Sequence, residues 1–213
     1  MQNRRPWLRR ASVTAVSAAA LVAMAAPADA TTADRASAAA VAATAATAAD
    51  VDYGTWQKDC QAVMDQALPY LKERIAATKP GEKQAIVFDI DNTTLETDFG
   101  FSYPQPANKP VLEAARYAQE RGVALFFVTA RPDIVYAFTD YNLKQAGYRV
   151  SGLYVRNFID LFRNVADYKT AQRVSIEKKG YTIIANIGNS ATDLSGGHAE
   201  KAFKLPDYGG QLS

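Results

Sequence analysis

Four short apolar runs, rich in β-branched and aromatic residues and separated by helix-length segments, constrain this chain more than any other feature. They are Ala85-Ile-Val-Phe88, Val123 to Ala130, Leu153-Tyr-Val155 and Tyr181 to Ile187. Each is too short and too β-branched for a helix and reads as a strand buried on both faces. Pro110 opens a helix that Gly122 stops, Pro132 opens another that ends at Gly147, and a third runs from about Asp167 to Lys179. A helical pattern over Trp56 to Ile75 precedes them, and Ala202 to Leu205 offers a fifth strand. Strands alternating with helices specify an α/β fold, a Rossmann-like doubly wound parallel sheet of about five strands with helices on both faces. In such sheets ligands gather outside the carboxyl ends of the strands.

The first run ends in Asp89-Ile-Asp91. A strand turns residues i and i+2 to the same face, so the two carboxylates leave its carboxyl end together. Roughly 6–7 Å apart, they repel by about 2–3 kcal/mol at an effective dielectric near 20. Folding does not ask for that repulsion. A bound cation or a shared proton relieves it, and either makes the pair chemically useful.

Three more groups fall at strand ends. Thr129-Ala-Arg131 supplies a hydroxyl, a guanidinium and backbone N–H groups, a set suited to phosphate. Lys169 lies in the expected first turn of its helix behind Asp167, where a cation opposes the helix dipole at about 0.3–1 kcal/mol. After the fourth strand, Gly188 permits a tight turn, and Asn189 and Asp193 offer oxygens to a hard cation such as Mg²⁺. Each group alone also reads as ordinary turn or surface chemistry; their order and placement argue for a site.

These segments, Asp89-Ile-Asp-Asn-Thr93, Thr129, Lys169 and Gly188-Asn-Ser-Ala-Thr-Asp193, resemble in order the four motifs of the haloacid dehalogenase superfamily of phosphatases. The flanking stretches Asp91 to Thr97, Tyr168 to Arg173 and Phe203 to Pro206 resemble the secreted class B-type acid phosphatases and the related plant acid phosphatases and vegetative storage proteins. The resemblance implies a phosphomonoesterase. Asp89 would attack phosphorus to form an aspartyl-phosphate, and Asp91 would protonate the leaving alcohol and then activate water. Thr129 and Lys169 would hold the phosphoryl oxygens, with Arg131 an additional phosphate or substrate contact. Mg²⁺ would be held by Asp89, Asp91 and the fourth motif. The chain departs from the family at Asn189, where an aspartate is usual. Asparagine brings no charge, so Mg²⁺ affinity is expected to fall, with Asp193 compensating directly or through water. The segments Glu96 to Lys109 and Arg156 to Val165 are too short for an inserted cap domain. An open site is expected, with Phe99, Phe101 and Tyr103 at its rim or packed on the domain.

The ends of the chain bear on location and partners. Four arginines, an Ala-rich apolar stretch and Pro27-Ala-Asp-Ala30 read as a secretory signal peptide over residues 1–30, through ordinary export rather than the twin-arginine route. An Ala/Thr-rich flexible spacer over 31–50 and a phosphatase domain over 51–213 follow. Removing residues 1–30 leaves 20 basic and 21 acidic residues, so the basic balance of the full chain belongs to the signal and gives no support for nucleic-acid binding. The expectation is a secreted protein acting on a small phosphomonoester without a membrane anchor, its assembly with further copies left open. The single cysteine, Cys60, excludes an intrachain disulfide and reads as an inert buried thiol. His198, the sole histidine, sits in Gly196-Gly-His-Ala199 rather than in a nucleophile motif and reads as loop scaffolding. The rival readings are a catalytically weak or inactive storage or binding protein on the same fold, and a phosphate-receiving regulator, which the signal peptide and Asp91 both oppose.

Overall fold

The computed structural model describes residues 51–100 and 102–212. The expected signal peptide and spacer, and Phe101 of the aromatic loop, lie outside the described residues. The element order is α1 (Tyr53–Ala76), β1 (Lys83–Phe88), α2 (Lys109–Gln119), β2 (Ala124–Pro132), α3 (Tyr136–Gln145), β3 (Val150–Arg156), α4 (Val165–Lys178), β4 (Tyr181–Gly188), the single turn α5 (Ala191–Leu194) and β5 (Ala202–Lys204). The strands form one parallel sheet in the order β3-β2-β1-β4-β5.

Period-2 alternation divides the core between the two faces of this sheet. Ile86, Phe88, Leu125 and Phe127 pack with α1, α2 and Leu143 of α3; Ala85, Val87, Phe126 and Val128 pack with Tyr168 and Ile176 of α4. α1 buries a stripe at helical spacing, Trp56, Cys60, Met64, Ala67, Leu71 and Ile75. Cys60 is fully buried, and desolvation pushes its thiol up to about 11, the inert state expected of it.

Two expectations are corrected. Pro132 closes β2 instead of opening a helix; a 3₁₀ turn over Asp133–Val135 intervenes before α3. The helix carrying Lys169 starts earlier than Asp167, because Asn164 is its N-cap and accepts from the Ala166 and Asp167 backbone N–H groups. Lys169 therefore sits in the second turn, beyond the strongest part of the dipole, and its position needs another explanation.

The topology places the site. From β1 the chain winds outward through β2 to β3, then returns to β4 on the opposite side of β1. The crevice at the carboxyl end of β1 is the point where the winding reverses, the favoured ligand position in doubly wound sheets. Asp89 stands there, its backbone N–H donating to the Ile187 carbonyl of β4. Among the described residues no cap domain interrupts the fold, and no helix is long and apolar enough to cross a membrane.

Candidate active site

Asp89 is buried at the floor of a cavity of about 420 Å³, shared with Asp91, Lys169, Asn189 and Asp193. Lys169 reaches it from α4, its ammonium 2.6 Å from Asp89 Oδ1 and also donating to Asp193 Oδ1. This pairing is what keeps a lysine buried in α4. Burial would lower its pKa, but the two carboxylates more than offset that and make it hold its proton more tightly than usual. Burial pushes the Asp89 carboxyl up to about 7; Lys169 opposes the shift, while Asp193 and Asp91 add to it.

Asp91 has the opposite environment. Burial raises its pKa, but the hydrogen bonds and charge of Arg131 reverse this and hold the carboxyl below the usual range. The Arg131 guanidinium grips Asp91 through Nη2 at 2.7 Å and Nε at 3.1–3.2 Å, and Thr97 Oγ1 donates to Asp91 at 2.9 Å. Gln105 Oε1 accepts from Arg131 at 3.0 Å. Arg131 lines an adjoining cavity of about 510 Å³, which also contains Asp91, Tyr103 and Phe138. Its immediate partner is thus a carboxylate, where a phosphate contact is expected from the sequence. Thr129 is fully buried beside the main cavity, its hydroxyl oxygen accepting from the Arg131 N–H at 3.1 Å.

The fourth motif differs in detail from expectation. Both Asp193 oxygens are engaged, Oδ1 by Lys169 and Oδ2 by the Ser190 N–H at 2.8 Å, in a capping box that starts α5. In this arrangement Asp193 orients Lys169 through one oxygen and starts α5 through the other. Gly188 makes the tuck possible, since a Cβ there would collide with the Asp193 side chain. Asn189 is buried, its Oδ1 accepting from Thr93 Oγ1 at 3.2 Å and its Nδ2 donating to the Leu212 carbonyl. Asn92 Nδ2 donates to the same carbonyl at 3.1 Å. An aspartate at position 189 could not make the bond to Leu212, which gives asparagine at this position a local reason.

Several functional contacts were not foreseen. Thr97 on Asp91, Thr93 on Asn189 and the Leu212 carbonyl all belong to the site's supporting contacts, and only the proximity of Thr93 and Thr97 to Asp91 in the chain offered any signal. Phe99 is not on the rim: its ring stacks on buried Trp56 at 4.3 Å. Tyr103 does stand at the rim, its hydroxyl donating to the Phe138 carbonyl at 3.0 Å. His198 lies away from the site, its Nδ1 2.7 Å from Glu177 Oε2, in keeping with a scaffolding role.

Three carboxylates (Asp89, Asp91, Asp193) against two cations (Lys169, Arg131) leave the ionised cluster with one net negative charge. Among the described residues Asp89 Oδ2 accepts no hydrogen bond. A hard-oxygen donor set with residual negative charge fits a divalent cation such as Mg²⁺. A buried anion beside a free lysine-supported cavity, at a sheet switch point, can receive a phosphoryl group.

Comparison with known proteins identifies the family and the fold. The model of the HAD superfamily, subfamily IIIB (acid phosphatase), matches residues 9–105 and 102–211. The Stem 28 kDa glycoprotein of Glycine max is 32% identical over 176 residues, covering 71% of this chain and 68% of its own length. A Stem 31 kDa glycoprotein of the same plant is also 32% identical over 176 residues, but this chain spans only 59% of its length. Among solved structures, the class C acid phosphatase from Bacillus anthracis superposes with a TM-score of 0.54 at 17% identity, covering 68% of this chain and 67% of the other. The Pnkp1/Rnl/Hen1 complex superposes with a TM-score of 0.52 at 15% identity over 61% of this chain and 47% of the matched chain. Both structural matches speak to the fold alone.

Proposed function

Because this chain belongs to the HAD superfamily, subfamily IIIB, the acid phosphatases, we propose that it is a secreted phosphomonoester hydrolase that works through an aspartyl-phosphate on Asp89. The observation that carries the reading is the placement of Asp89, buried at the β1 switch point and held by Lys169, beside an acid group whose environment is different. Placement separates the two roles: Lys169 holds Asp89 at the cavity floor, and Arg131 holds Asp91 beside it.

Asp89 Oδ2 is the oxygen left to attack phosphorus, with the ester oxygen leaving on the opposite side. Lys169 stabilises Asp89 and the phosphoryl oxygens it receives, in a site where positioning and charge supply most of the rate. The Thr129 hydroxyl offers a further donor. Asp91 gives a proton to the leaving alcohol and takes one from the incoming water. Arg131 keeps Asp91 oriented, and from the adjoining cavity it can contact the ester side of the substrate. Asp89, the backbone of Asp91 and Asn189 Oδ1 would hold Mg²⁺, which when bound neutralises phosphoryl charge and favours the ionised form of Asp89.

Removing Arg131 tests the role of Asp91. Arg131 lowers the Asp91 pKa, so in Arg131→Gln that pKa rises. If Asp91 is the proton donor, the alkaline limb of the kcat profile moves to higher pH. A limb that stays in place while kcat alone falls would assign the acid elsewhere.

A second reading, a catalytically weak storage or binding protein, draws on Asn189, whose uncharged amide bonds Thr93 and Leu212 and brings no negative charge to a cation. Asn189→Asp is expected to tighten Mg²⁺ binding by about tenfold through the added charge. It also sets a carboxylate against the Leu212 carbonyl, so the metal-free variant should lose about 1–3 kcal/mol of stability. Calorimetric Mg²⁺ titration and metal-free urea melts read both effects; an unchanged or weaker Mg²⁺ affinity would overturn the metal assignment. The function as a whole is tested by phosphate release from an aryl phosphate across pH, with Mg²⁺ and with chelator. Activity sensitive to chelator is expected. Absence of release from every phosphomonoester would favour the second reading.

A further inference from the structure

Asn189 can hold a cation only through Oδ1, so the orientation of its amide decides whether it is a ligand. The oxygen and the NH₂ group of an amide have nearly the same shape, and neighbours must choose between them. Thr93 does not choose. Its hydroxyl donates to Asn189 Oδ1 at 3.2 Å, but a hydroxyl accepts from an NH₂ group equally well. The Leu212 carbonyl does choose, because it can only accept, and Asn189 Nδ2 donates to it. Asn92 Nδ2 donates to the same oxygen at 3.1 Å. Both lone pairs of one carbonyl thus tie the loop after β1 to the loop after β4.

A folded segment brings that carbonyl to the site. The Leu212 and Gly210 N–H groups donate to the Asp207 carbonyl at 3.2 and 3.1 Å, closing a turn. Tyr208, Gly209 and Gly210 all take positive φ within it, a conformation that glycine adopts most cheaply. Three anchors fix the turn. The Leu212 side chain is buried in the core on the α1 side of the sheet. The Tyr208 hydroxyl donates to Asp59 Oδ2 of α1 at 2.7 Å. Lys204 of β5 pairs with Asp207 at 2.9 Å, and its ammonium also donates to the Asn189 backbone carbonyl. Asn189 is therefore held twice, at its backbone by Lys204 and at its amide by Leu212. Neither residue has a part in the chemistry proposed above.

We propose that the turn from Asp207 to Leu212 is a clamp that sets the Asn189 amide with its oxygen available to the cation, and that Leu212 is a positioning residue of the Mg²⁺ site. The inference rests on the Mg²⁺ part of the phosphatase reading. A carboxylate at position 189 would present an oxygen whichever way it turned and would need no clamp. An amide needs one, since affinity falls by the fraction of time that the binding orientation is lost. Because the clamp acts through a backbone carbonyl, it is released by loosening the anchor of the turn.

Calorimetric Mg²⁺ titration of wild type, Leu212→Ser, Asn189→Asp and the double variant tests this as a cycle. Leu212→Ser should raise the Mg²⁺ dissociation constant about 5-fold beside Asn189, the scale of one net hydrogen bond. Beside Asn189→Asp the same change should raise it less than ~2-fold. Leu212→Met, which keeps an apolar anchor, should bind as wild type does. Equal losses in both backgrounds would make the turn a general support of the fold and overturn the proposal, as would no loss in either. Tyr208→Phe, which gives up only the bond to Asp59, provides the same comparison if Leu212→Ser does not reach the wild-type circular dichroism.

Metal-free urea melts of the four chains read the clamp without the ion. The cost of Asn189→Asp should shrink in Leu212→Ser, where the carboxylate no longer faces a fixed carbonyl, and strictly additive costs would overturn the clamp. Absence of Mg²⁺ binding by wild type would count against the metal reading, and the melts would then judge the clamp.

Discussion

Asp89→Asn is expected to lower phosphate release by about 10⁴-fold or more, the scale on which loss of a covalent nucleophile acts. The same variant should not be destabilised at neutral pH, and this separates a catalytic from a structural role. The wild-type carboxyl is pushed from an ordinary value of 3.8 up to about 7, chiefly by burial. A carboxyl raised on folding binds more protons in the folded state, so its stability contribution is complete below the unfolded pKa and declines as pH rises toward 7. Asparagine never ionises and escapes that loss. Metal-free Asp89→Asn should melt at or above wild type at pH 8, with the difference shrinking toward pH 4. Inactivity accompanied by a large loss of stability at pH 8 would mean that Asp89 holds the fold rather than the reaction.

Lys169→Met should have the opposite profile. It leaves Asp89 and Asp193 facing each other in a buried cavity without their shared cation. Removing one member of a buried ion pair costs about 3–5 kcal/mol, and losing the donor to the phosphoryl oxygens should lower kcat by about 10²–10³-fold. The lost stability should return in part at low pH, where the carboxylates are protonated, and in part on adding Mg²⁺. Urea melts at pH 7 and pH 4.5, beside a Lys169→Arg control that keeps the charge, read this directly. A cost below ~1 kcal/mol with normal activity would remove Lys169 from the site.

Local patterns carried the fold. Runs such as Ala85 to Phe88 and Tyr181 to Ile187 are β-branched, apolar and bounded by turn residues, so the parallel sheet and the strand-end site were legible. Asp89, Asp91 and Lys169 were legible because strand periodicity and motif order constrain them. Contacts between distant segments were not. The grip of Arg131 on Asp91 joins residues 40 apart, and nothing local distinguishes a guanidinium aimed at a carboxylate from one aimed at a phosphate. The Leu212 carbonyl meets Asn189 at a sequence separation of 23, past α5 and β5, and a backbone carbonyl has no sequence signature. Phe99 was open to both rim and core until the stacking on Trp56 decided it. The start of α4 was readable in principle, since Asn164 is a good N-cap, but Asp167 three residues on competed for the assignment.

The central claim is that phosphate passes through Asp89, and the most direct measurement is acid-quenching of the mature enzyme during turnover of an aryl phosphate, followed by peptide mass spectrometry. The account predicts a phosphoryl adduct on the peptide containing Asp89, absent from Asp89→Asn and cleared when substrate is exhausted. An active enzyme with no adduct, or with the adduct on another residue, would contradict it.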